Sequence, residues 1–169
     1  MLASSRRRRT DILVCRMVST RSAFRLSEAR GGGPPLISPR NDTDLRFVFD
    51  RLRELVPAGL PATLRLAHIC SADGWCRRHK TKFEITVSRY MNRCEAIDVL
   101  LHEWAHAVAW NHLDDALAKN PSVPKSEFDH LLHGPAWGVA FSRIYQCFVA
   151  DIMGDLPSRG PKLPFEDWK

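Results

Sequence analysis

The sequence predicts an α+β domain, with a short three-stranded sheet, antiparallel or mixed, packed on a central helix and a C-terminal helix. Two patterns carry that prediction. Apolar residues recur at helical spacing in three stretches, beginning near Leu45, Ile97 and Trp137. Between the first two lie three short strand-like runs bounded by turn residues. A length of 169 residues, 44% of them hydrophobic, suits a single domain with a sizeable core.

Residues 1–40 stand apart from that domain. They open with Arg6-Arg7-Arg8-Arg9, close with Gly31-Gly32-Gly33-Pro34-Pro35 and have little apolar periodicity, so a mostly disordered segment is expected. Nine arginines against Asp11 and Glu28 give this segment a net charge of +7, whereas residues 41–169 hold sixteen basic and seventeen acidic side chains. The overall +6 therefore belongs to the segment, and the domain itself is not marked as a polyanion binder. The Arg- and Ser-rich, acid-poor composition fits a transit peptide, a basic tail in weak contact with DNA, or an extension ahead of a start at Met17. No secretory core follows the arginines, because Ile12-Leu13-Val14 is too short. No run approaches the roughly 18 apolar residues of a membrane span, so a protein without membrane contacts is expected. Cys15, Cys70, Cys76, Cys94 and Cys147 include no C-x-x-C pair. Their odd number suits reduced thiols in a cytoplasmic monomer, with Cys94 and Cys147 as small core residues.

The domain, residues 41–156, begins with a helix from Asp42 or Thr43. Leu45, Val48, Phe49, Leu52 and Leu55 share one face, and Pro57, Gly59 and Pro61 end it. Thr63–Ile69 is the first strand candidate, and Gly74–Arg78 the second, after a turn at Ala72-Asp73-Gly74. Lys82–Ser88 is the clearest strand, alternating Phe83, Ile85 and Val87 with Glu84, Thr86 and Ser88. The basic run Arg77-Arg78-His79-Lys80 reads as a solvated hairpin tip. A central helix is expected from about Glu95 to Asn111, then an irregular stretch broken by Pro121 and Pro124. Pro135 suits the first position of a last helix, which runs through Trp137, Ala140, Phe141, Ile144, Tyr145 and Phe148 and stops before Gly154. Residues 157–169 form a Pro-rich tail.

The central helix carries His102-Glu103-Trp104-Ala105-His106, an H-E-x-x-H motif. Histidines four apart project from one helix face, with Cβ atoms roughly 6 Å apart. Both rings can then reach one ion, and Zn²⁺ takes imidazole nitrogen at about 2.0–2.1 Å. Glu103 lies beside that ion without binding it, where a general base for water belongs. Asp98, one turn before His102, can orient that ring or serve the helix dipole.

A hydrolytic zinc site usually has three protein ligands and a water. His112 has the metzincin spacing from His106, yet Ala109 stands where that motif needs Gly. On an unbroken helix His112 lies about 600° beyond His106, off the ligand face. Glu127 would give the thermolysin-type arrangement. His133 leads His133-Gly134-Pro135-Ala136-Trp137, where Gly-Pro at a helix start holds it in a defined turn that the nearby His130 lacks.

H-E-x-x-H-A at residues 102–107, followed by H-G-x-x-W at 133–137, resembles the SprT-like family of zinc metalloproteases, over roughly residues 42–150. The resemblance implies a minimal zincin-like fold, Zn²⁺ held by His102, His106 and His133, Glu103 as catalytic base, and a protein or peptide substrate. The stretch between His106 and His133 is longer than in Spartan-type members. No Cys-rich zinc ribbon and no DNA- or ubiquitin-binding extension accompanies the domain, which is closer to small stand-alone members of bacteria and phages.

A zinc-dependent endopeptidase is the function expected, with Lys82–Ser88 as the sheet edge to which an extended substrate adds. Tyr90 and Tyr145 read as packing residues rather than oxyanion donors. The alternative from another class is a non-enzymatic, DNA-associated metal-binding module that uses the Arg-rich segment for affinity. A structural metal site usually takes four protein ligands, often with cysteine, and no cysteine is near His102 in sequence.

Overall fold

The structure, a computed structural model, describes residues 13–17, 39–69, 72–111, 114–115 and 131–157. It is α+β, with a mixed sheet and, among the described residues, three α-helices: α1 (Pro39–Leu55), α2 (Arg93–Ala109) and α3 (Pro135–Cys147). Strands β2 (Ala62–Ala67), β3 (Gly74–Arg78) and β4 (Phe83–Ser88) fall on the three predicted runs. A fourth, β1 (Leu13–Met17), lies in the segment expected to be without structure. Its five residues offered no periodicity of their own to read, because the strand is completed by pairing with β3. None of the described helices is long and apolar enough to cross a membrane.

Helix α1 begins at Pro39, earlier than its apolar pattern predicts, since proline suits a first helical position. Leu45, Val48 and Leu52 are fully buried, while Leu55 is half-exposed and Val56 takes the next inward position. One polar residue goes inward with them. The buried Asp44 carboxylate meets Arg93 Nε at 2.6 Å, joining α1 to the first residue of α2.

The sheet order is β1-β3-β4-β2. β2 and β4 are parallel, β3 is antiparallel to β4, and β1 is antiparallel to β3 with Met17 opposite Gly74. β4 is therefore an interior strand, and Lys82–Ser88 cannot be the edge that accepts a substrate. Alternation reports which face a side chain takes, not which strands lie on either side. The polar face of β4 is itself covered: Thr86 and Ser88 are buried, with Trp75 and Arg65 as the cross-strand neighbours of Thr86. Only part of the expected basic tip is a solvated turn: Arg77 and Arg78 lie within β3, part-buried and paired with Glu84 and Asp115, while the β3–β4 turn that follows is closed by His79 N–H donating to Lys82 O at 2.8 Å.

Helix α2 starts in a reciprocal cap. Glu95 N–H donates to Asn92 Oδ1 at 3.0 Å, and Asn92 N–H donates to Glu95 Oε2 at 3.1 Å. Trp104 then anchors it. The indole Nε1–H donates to Val56 O at 2.9 Å, and the ring meets Phe49 edge-on at 5.5 Å. Helix α3 starts with Pro135 at its first turn, continues through a π-helical turn (Phe148–Ile152) and a 3-10 turn (Met153–Asp155), and buries Ala140, Ile144, Phe148 and Ile152. Among the cysteines whose burial is described, Cys76 is buried, Cys94 is exposed and Cys147 partly so. The placement of Cys94 in the core is thus corrected: it sits on the open side of the first turn of α2.

Where α2 crosses β3 the backbones come close. A Cβ on Gly74 would lie 2.5 Å from Val99 Cγ1, 2.8 Å from Thr86 O and 3.4 Å from Glu103 Cγ. The sequence reads Gly74 as a turn residue, but its lack of a side chain is what admits the helix. Gly74→Ala is expected to destabilise the fold by about 1–3 kcal/mol through overpacking, measured by urea unfolding. An unchanged midpoint and slope would show that α2 can shift freely.

Candidate metal centre

One turn of α2 sets the first two donors. His102 Nε2 and His106 Nε2 lie 3.2 Å apart, with ring centroids 5.0 Å apart. The third donor comes from the turn ahead of α3, where Gly134 N–H donates to Leu131 O at 3.2 Å and Gly138 N–H to Gly134 O at 3.1 Å. Pro135 at the helix start removes an N–H that would have had no partner there. That turn delivers His133 Nε2 to 3.1 Å from His102 Nε2. The ligand atoms of His102, His106 and His133 all lie within 4.8 Å of one another. His112, Glu127 and His130 lie outside the described residues.

These separations fit a metal. Two nitrogens at about 2.05 Å from one tetrahedral ion stand about 3.3 Å apart, close to what the two measured pairs show. Imidazole nitrogen suits zinc, copper, iron and nickel, so the donor set by itself specifies an ion and not which one.

Electrostatics favour the ligand form of His102 and His106. Burial lowers the His102 pKa to about 4, with the neighbouring His133 adding to the shift. Burial, then His102 and His133, holds His106 well below the usual imidazole value. Neutral imidazole is the form that binds metal. His106 is buried and His102 partly so, while His133 is exposed, which leaves the cluster open on one side.

Trp137 covers the cluster from α3. Its ring lies 4.7 Å from that of His133, 4.9 Å from His102 and 5.6 Å from His106. Phe141 stacks behind it at 5.0 Å with planes 8° apart. The sequence reads both as apolar helix residues; the Trp of H-G-x-x-W is the signal that one of them belongs to the site. Glu103 is fully buried on the sheet side of the same turn, beside Gly74. Asp98 is exposed, and its pKa is raised by partial burial and by the Glu95 charge. No hydrogen bond joins it to His102. Tyr145 is half-exposed and is two ring contacts from His102, through Phe141. Tyr90 meets His68 instead.

Two measurements test the centre. His133→Ala should lose bound metal while His112→Ala keeps it, by elemental analysis of the purified proteins; the reverse outcome would move the third ligand to His112. The second concerns acid. An unfolded imidazole titrates near pH 6.5, above the folded value for His102, so between pH 6.5 and about 4 the unfolded chain binds more protons. Stability of the metal-free protein is full above that window and is lost as the pH falls through it. Thermal unfolding from pH 7 to pH 4 should show the decline, flattened in His102→Gln.

The chain matches no protein-family model, no curated protein and no solved structure.

Proposed function

We propose that this chain is a zinc-dependent endopeptidase of the SprT-like type, with a minimal zincin-like domain. The observation that carries the reading is the convergence of His133 Nε2 on the His102–His106 pair, with a buried glutamate in the same helical turn. Three imidazoles with one side open to solvent match a hydrolytic centre better than a structural one, which closes with a fourth protein donor. Among the metals that imidazole suits, zinc is favoured by the H-E-x-x-H spacing.

His102, His106 and His133 would hold the ion. Bound there, Zn²⁺ would supply Lewis acidity and lower the pKa of a water to about 7. Glu103 takes the proton of the attacking water and hands it to the departing amine nitrogen. Trp137 keeps the histidine rings packed, so that little reorganisation is needed as charge develops. A cavity of about 170 Å³ beside His106, lined in part by Trp110, Asp114, Leu132 and Trp137, offers room for one side chain of a bound polypeptide.

The test is cleavage of casein by the zinc-loaded protein. Glu103→Gln should keep its metal and lose about 10²–10⁴-fold in rate. Full activity in that variant would remove Glu103 as the base, and metal-independent cleavage would remove the centre from the reaction.

A further inference from the structure

With β4 inside the sheet, the outer strands are β1 and β2. β3 passes the candidate centre, since Gly74 at its start lies against Val99 and Glu103 of α2. β2 forms the far edge, separated from β3 by β4. An extended polypeptide that presents a peptide bond to the three histidines, and gains main-chain hydrogen bonds from the sheet, has one place to lie: along the outer side of β3. That place is taken. Leu13–Met17 runs there antiparallel, its Met17 end opposite Gly74.

We propose that β1 is an internal stand-in for substrate, holding the strand-accepting edge of β3 so that an extended polypeptide enters only when Leu13–Met17 leaves. The inference that this edge serves hydrolysis rests on the peptidase reading; the exchange of strands does not. Strand addition is recognised through backbone groups, so occupant and substrate need not share side chains. β1 is also suited to leave. It is five residues long, pairs on one side only, and joins α1 through the long connection from Met17 to Pro39. Such a tethered strand acts as a competitor at an effective concentration of order millimolar. An edge free about one-tenth of the time weakens apparent substrate affinity about tenfold.

The test uses the full chain with single proline substitutions at neighbouring positions, Val14→Pro and Cys15→Pro. Along an antiparallel edge strand, N–H groups alternate between the partner strand and solvent, so one substitution breaks the pairing and the other is tolerated. Hydrogen exchange identifies which, through amide protection within Gly74–Arg78, with protection in α2 as the control for folding. A fluorescent synthetic peptide of residues 10–20 is the binding probe, and casein is the substrate. The pairing-breaking variant should bind the probe and cleave casein with a KM lowered about tenfold at unchanged kcat. The tolerated variant and the wild type should bind the probe about tenfold more weakly and cleave casein with the higher KM.

Absence of edge protection in the wild type would overturn the proposal. So would a variant that loses protection yet binds no probe, or an active enzyme whose KM for casein is unmoved by strand release. Probe binding gained on strand release, with no cleavage by any form, would leave the strand exchange standing and sink the peptidase reading alone.

Discussion

Three imidazole nitrogens gathered within 4.8 Å of one another, with His102 Nε2 at 3.1–3.2 Å from the other two, form a partly desolvated cluster that the rest of the molecule is arranged to hold. Burial disfavours the imidazolium of His102 and His106, with His133 adding to both and His102 to His106. The cost of keeping neutral polar rings out of water is met by folding, before any ion arrives. A metal binding afterwards finds His102 and His106 in the neutral form that it needs.

Such a cluster demands a helix that does not move. Trp104, between the two histidines in sequence, turns to the other side of α2 and donates to the Val56 carbonyl, while its ring meets Phe49. The Asp44–Arg93 pair fixes the start of the same helix to α1. On its sheet side the helix presses against Gly74, where any side chain would meet backbone as well as Val99. The motif residues thus divide their work: the histidines converge on one point, Glu103 packs its Cγ beside Gly74, and Trp104 locks the helix down.

What could be read from the chain follows from how local each determinant is. The apolar faces of α1 and α2, and the pairing of His102 with His106, are set within single helices, so residue spacing suffices. The three expected strands were legible for the same reason. Strand order was not, because β4 shows the alternation of a strand with one covered face, although both its faces and both its edges are occupied. The role of Gly74 depends on a helix far along the chain, and β1 depends on β3 for its existence as a strand. His133 was singled out by its Gly-Pro turn and by the H-G-x-x-W resemblance; its approach to His102 is a product of how α3 packs on α2. Cys94 was misplaced because helical spacing alone does not say how wide the buried face of α2 is.

The orientation of His102 shows how that packing substitutes for a hydrogen bond. If Nε2 is the ligating atom, the proton resides on Nδ1, and metal-bound histidines commonly have that N–H held by a carboxylate or carbonyl. Asp98 is the carboxylate at the right spacing, yet no hydrogen bond joins it to His102, and no other acceptor among the described residues meets His102 Nδ1. The ring is held by shape. Trp137 lies 4.9 Å away on one side, Phe141 at 6.3 Å extends that wall, and the rings of His106 and His133 close the rest at 5.0 Å each. A ring wedged between aromatic neighbours has few rotamers open to it, so its ligating nitrogen points the same way whether or not Nδ1 is satisfied. The aromatic face of α3 therefore bears on the metal centre as directly as the third histidine that the same segment supplies.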